Sequence, residues 1–206
     1  MLEQQQITYI MQMVQLRLLK LISILIILLS ILSCATAQKI DDETKGKIEE
    51  SKRTNELKIQ NRNRYKKIPS EIFELCDLQI LSFSGSECDV KPCTNISNVP
   101  AKIRNLKSLR QLALVMNDLK SLPLEINSLK LESLDLSNNF DIDISNLEIQ
   151  SLKILNLNDC NLNSLPKGIW NMKKLTVLGI EGNDNIPEEQ ITRLKKEIPN
   201  CVIYWK

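Results

Sequence analysis

The sequence predicts an α/β repeat solenoid. Each turn of the coil contributes one short strand to a parallel, concave β-sheet and returns through a short helical or irregular convex segment. Three observations carry this prediction. A nine-residue pattern, L-x-x-L-x-[LIF]-x-x-[NCS], recurs at 78–86, 109–117, 131–139, 152–160 and 175–183. A second pattern, L-P-x-x-I-x-x-L in its commonest residues, falls between the copies at 99–106, 122–129 and 165–172, with an earlier one at 68–75. The five starts are 31, 22, 21 and 23 residues apart, a near-constant period that marks a repeat array.

The copy at 109–123, LRQLALVMNDLKSLP, shows what one turn contains. Leu112 and Leu114 stand two apart, so a short strand points both to one face while Gln111, Ala113 and Val115 point to the other. Asn117 ends the strand. Leu119, Leu122, Ile126 and Leu129 then face inward from the returning arm, and Pro123 sets the entry to a short helical or 3₁₀ turn. One turn cannot bury its own apolar face, so the turns fold only as a stack.

Over roughly residues 55–206 these copies resemble the leucine-rich repeat family. The resemblance implies a right-handed solenoid, or horseshoe, of six or seven strands. Strands about 4.8 Å apart would run about 30 Å along its concave face. It also implies that the asparagine side chain bonds the backbone of neighbouring turns. Asn139, Cys160 and Asn183 share the Asn117 column. The copy at 68–75 implies a degenerate first turn containing Leu57, Ile59 and Asn63. Residues 186–206 resemble the family's C-terminal cap, with a helix over Glu188–Glu197 and a last strand in which Cys201, Val202 and Ile203 close the core.

Two turns are irregular. The third lacks the L-P element, and its residues 140–151 alternate Ile142, Ile144, Leu147 and Ile149, which predicts an extended convex path. Asp141 and Asp143 there lack the Gly and Glu of an EF-hand loop and read as a solvated turn. The turn that starts at Leu78 is longer through 86–97. Its Cys88 and Cys93 suit a local disulfide in an oxidising compartment, and no second cysteine pair or histidine completes a zinc site. Asn95-Ile96-Ser97 is a glycosylation sequon, relevant in a eukaryotic host. Cys76 and Cys160 read as reduced core or near-core residues.

Residues 1–37 read as a targeting segment. Arg17 and Lys20 precede an apolar run from Leu21 to Leu32, and small residues follow, the layout of a secretory signal. The fit begins at Met13, so Met11 or Met13 is the expected initiator. Two processing points are open. ILSC (31–34) resembles a bacterial lipobox with lipidation at Cys34, whereas ATA (35–37) is an A-x-A site with cleavage before Gln38. Residues 38–55 are charged and nearly free of large apolar side chains, which predicts a flexible tether or a frayed helix. The solenoid with its cap then occupies 56–206. The expected location is the cell envelope, as an outer-membrane or surface lipoprotein, or the secreted fraction.

Composition narrows the function. Histidine is absent, which removes Ser-His-Asp and Cys-His arrangements, imidazole metal sites and neutral-pH histidine switches. Aromatics make up only 4 %. Setting aside residues 1–33 leaves 25 basic and 24 acidic residues, a balance that gives no support for nucleic-acid binding. No enzyme and no cofactor are expected. Residues 52–67 are locally basic, which suits anionic headgroups or polysaccharide, or merely the solvated face of an end repeat.

Three outward columns are expected on the concave face. They are Ile80, Gln111, Ser133, Ile154 and Val177; Ser82, Ala113, Asp135, Asn156 and Gly179; and Ser84, Val115, Ser137, Asn158 and Glu181. Gln111, Val115, Ser133, Asp135, Ser137, Ile154, Asn156, Asn158 and Glu181 are the candidate contacts. A protein or a surface glycan is the expected partner, with the membrane reached through a lipid on Cys34. A spacer in the envelope without a dedicated ligand is the rival.

Overall fold

A computed structural model describes residues 40–62, 65–86 and 95–206. Helix α1 (Asp42–Thr54) is followed by seven strands: β1 (Glu56–Gln60), β2 (Ile80–Ser84), β3 (Gln111–Ala113), β4 (Ser133–Asp135), β5 (Ile154–Asn156), β6 (Val177–Gly179) and β7 (Val202–Tyr204). Helix α2 (Glu188–Glu197) lies between the last two. The strands form one open, all-parallel sheet in sequence order. Each neighbouring pair is in register, so Leu81, Leu112, Leu134, Leu155 and Leu178 line up across it.

That row is buried, as is the second inward row of Phe83, Leu114, Leu136, Leu157 and Ile180. The returning arms close the other side of the core. Four contain 3₁₀ turns, at Ser70–Glu74, Ala101–Asn105, Leu124–Ser128 and Lys167–Asn171. Each turn begins directly after a proline, whose fixed φ and missing N–H suit a helical start. The central isoleucine of each turn (Ile72, Ile103, Ile126, Ile169) is buried. The arm between β4 and β5 has no such turn, as its sequence predicts. It is joined to the preceding arm by a Ser121–Asp143 bridge and by the side chain of Asn127, and Ile142, Ile144, Leu147 and Ile149 still fill the core.

An asparagine ladder spans the turns. The Nδ2 of Asn117 donates to the carbonyls of Phe83 (2.9 Å), Leu114 and Val115 (3.1 Å each). Asn139 donates to Leu114 (2.8 Å) and Leu136 (2.7 Å) and accepts from Leu119 N–H. Asn183 donates to Leu157, Ile180 and Glu181 and accepts from the amides of Cys160 and Leu162. All three are buried. They satisfy backbone groups that a tight bend would otherwise bury unpaired. Cys160 keeps part of this role, its thiol lying 3.3 Å from the Leu136 carbonyl.

Several residues differ from expectation. The segment read as a flexible tether or frayed helix is largely α1, capped at both ends. Asp41 accepts from Thr44 N–H at 2.9 Å, and Asn55 ends the helix in a left-handed conformation. Ile40 and Ile48 join the solenoid core, with Thr44 and Ser51 buried on the same face. The two polar residues can be buried because they are bonded locally: the Thr44 hydroxyl to Asp41, and the Ser51 hydroxyl to the Ile48 carbonyl. In the first turn the buried asparagine is Asn61; Asn63 lies outside the described residues. Cys76 is exposed rather than near-core. Val202 does not close the core: it is 53 % exposed, because alternation along β7 turns Ile203 inward and Val202 outward. Cys34, Cys88 and Cys93 lie outside the described residues.

Candidate binding face

The in-register sheet turns the outward positions into columns. Ile80, Gln111, Ser133, Ile154, Val177 and Val202 are successive neighbours in the first, and Ser82, Ala113, Asp135, Asn156, Gly179 and Tyr204 in the second. Strand β1 adds Glu56 and Lys58 at the other end. Beyond the strands the third column continues through backbone bonds that pair Met116 with Ser137, Asn138 with Asn158 and Asp159 with Glu181.

The polar candidates in the C-terminal half form one connected relay. Asp135 Oδ1 accepts from the Ser137 hydroxyl at 2.6 Å and from the Ser137 amide at 3.0 Å. Its Oδ2 accepts from Asn156 Nδ2 at 3.3 Å. Asn156 Oδ1 accepts from the Asn158 amide at 3.1 Å. Asn158 Oδ1 accepts from the Glu181 amide at 2.9 Å, and its Nδ2 donates to Glu181 Oε2 at 3.2 Å. Gly179 makes room for this arrangement. A Cβ there would stand 2.9 Å from both the Asn156 and the Asn158 side-chain oxygens, closer than real side chains approach.

The relay holds these side chains in place but does not neutralise them. Among the described residues, no lysine or arginine forms a salt bridge with Asp135 or Glu181. Two carboxylates therefore remain uncompensated on this half of the sheet. Ser137 is buried and its hydroxyl is turned into Asp135, so it orients that carboxylate and offers little surface of its own.

Beside the relay runs an apolar strip. Ile154, Val177 and Val202 are consecutive in the first column, and Tyr204 stands in the second next to Gly179. Ile154 is 43 % exposed and Tyr204 52 %. Gln111 is exposed, and Ser133 and Val115 are half-buried, which makes the N-terminal neighbours of the strip smaller and more polar. The sequence points Val202 into the core, whereas the structure turns both it and Tyr204 onto this face. The alternation Val202-Ile203-Tyr204 is the signal that would have found both.

No protein-family model matches the chain, and no curated protein matches it. Among solved structures, a leucine-rich repeat protein of Leptospira interrogans is similar over 72 % of this chain, with 30 % sequence identity and a TM-score of 0.59. The chain spans 36 % of the length of that protein. Solenoids of this kind present extended concave surfaces as protein-binding scaffolds. The recurring strand pattern, the buried asparagine ladder, the seven-stranded parallel sheet and this similarity agree: the chain belongs to the leucine-rich repeat family.

Proposed function

We propose that the protein is a non-catalytic binding module that recognises a protein partner through the C-terminal half of its concave face. The observation that carries this reading is the pairing of an exposed apolar strip (Ile154, Val177, Val202 and Tyr204) with the uncompensated carboxylates of Asp135 and Glu181. Apolar and aromatic anchors beside oriented polar groups are what protein interfaces use for affinity and for specificity respectively. Such a surface suits a segment carrying aliphatic and basic side chains.

We further propose that the protein works outside the cytoplasm, with residues 1–37 acting in export. The basic Arg17 and Lys20 ahead of the apolar run from Leu21 to Leu32 support the reading. Intact mass of the mature chain separates the two routes: a diacylglycerol-modified Cys34 means an anchored protein, and a chain starting at Gln38 a secreted one.

The binding proposal is tested with the immobilised protein and envelope or host-surface extracts, followed by cross-linking. Ile154→Glu and Tyr204→Ala should abolish a specific capture that Leu124→Glu, on the convex side, leaves intact. Equal capture by all variants would overturn the assignment to this face. Absence of any specific capture would favour the spacer role.

A further inference from the structure

A second site lies at the opposite end of the concave face, and it exists because α1 is packed there. A cleft of about 350 Å³ opens between α1 and the first two strands, at the small end of the range for ligand pockets. Glu43 and Lys47 reach it from α1, Lys58 and Gln60 from β1, Arg62 from the turn after β1, and Ser82 and Ser84 from β2.

The charges in the cleft are unequal. Lys47 pairs with Glu43 at 2.9 Å, and Lys58 pairs with Glu56. Arg62 is exposed and pairs with no carboxylate among the described residues. Its φ of 41° is a left-handed turn conformation shared with Met116, Asn138 and Asp159 in later turns of the solenoid. The remaining lining is hydroxyl and amide: the Ser82 and Ser84 oxygens lie 3.4 Å apart on the floor, with Gln60 exposed beside them. The one apolar residue in the lining, Ile59, is buried.

We propose that this cleft binds an acidic sugar unit of an anionic polysaccharide. A carboxylate or sulfate group would sit between Arg62 and Lys58, with Arg62 giving bidentate contacts. The sugar hydroxyls would bond Ser82, Ser84 and Gln60. An acidic peptide is the poorer occupant, since the cleft exposes no aromatic or aliphatic anchor of the kind that protein interfaces need. The site is separate from the apolar strip and does not depend on the reading given to it.

The test is nuclear magnetic resonance titration of the folded protein with a heparin-derived tetrasaccharide, a tetragalacturonate and neutral cellotetraose, at 0.15 M salt. At least one acidic probe should bind and shift the amides of Lys58, Gln60, Arg62, Ser82 and Ser84, while cellotetraose does not. Arg62→Gln and, separately, Lys58→Gln should each weaken that binding about tenfold or more. Ser82→Ala should weaken it without changing its salt dependence. Four outcomes would overturn the proposal: no binding of either acidic probe, shifts spread equally over Lys45 and Lys52 on the outer face of α1, equal binding of the neutral sugar, or tighter binding of a polyglutamate peptide or phosphatidylglycerol vesicles.

Discussion

The hydroxyl of Tyr65 donates to the carboxylate of Asp41, the residue that caps α1, and accepts in return from the Asp41 amide at 3.3 Å. Tyr65 is itself fixed from below. Asn61 accepts from its amide and donates to its carbonyl, both at 2.7 Å, and its ring lies 6.0 Å from that of Phe83. One side chain therefore ties the N-terminal helix to the first turn of the solenoid.

Tyr65→Phe should cost about 1.5–3 kcal/mol, the value of a hydrogen bond to a charged group, and hydrogen exchange should quicken in α1 first. The pH dependence has a definite sign. Burial, and then the bond to Asp41, raise the Tyr65 pKa above its ordinary value. The fold thus favours the neutral phenol, so this stabilisation is whole below about pH 10 and is lost as pH rises through the folded value. Urea midpoints measured from pH 8 to pH 11.5 should fall more steeply for the parent than for Tyr65→Phe.

Asn183→Ala should be among the most damaging single changes. It would take a partner inside the core from the carbonyls of Leu157 and Ile180 and from the amides of Cys160 and Leu162. The expected loss is about 3 kcal/mol or more, measurable by urea denaturation. Alanine at Asn127, which bonds the Asn146 carbonyl and the Glu148 amide on the more solvated convex side, should cost less.

The described cysteines should separate by reactivity. Burial pushes the Cys160 thiol up to about 11, and no part of it is reachable in the folded state. Iodoacetamide at pH 8 should therefore label exposed Cys76 and spare Cys160 until denaturant is added, as peptide mass mapping would show. Labelling of Cys160 at the same rate as Cys76 would contradict the buried ladder position.

Gly46 stands in the interior of α1 with open space where a side chain would go. Gly46→Ala should stabilise the helix by about 0.5–1 kcal/mol, seen as a higher thermal midpoint. If residues 42–54 were an unstructured tether, the substitution would change nothing.

Much of the fold was legible in the sequence because it is written in short-range signals. Leu112 and Leu114 at spacing two, Asn117 three residues on, and Pro123 before Ile126 each specify a local geometry. The same signals recur where Leu134, Asn139, Leu178 and Asn183 stand. The α1 segment carried no such signal. Its buried face uses Thr44 and Ser51, polar residues whose burial depends on bonds that composition does not reveal. The site was partly legible for a related reason. Asp135, Asn156, Asn158 and Glu181 could be placed on one face by alternation, whereas their mutual hydrogen bonds depend on how turns more than twenty residues apart stack.

The sequence by itself determined the repeat period, the inward and outward sides of the central strands and the asparagine column from Asn117 onward. These follow from strand alternation and from backbone groups that every tight turn must satisfy. Tertiary structure alone decided that α1 closes the N-terminal end, that Val202 and Tyr204 extend the apolar strip, and that Lys47, Lys58 and Arg62 share one cleft. Each of those outcomes depends on a neighbour distant in the chain. Packing the ends of a solenoid is a question of which surface remains to be covered, and no local pattern encodes it.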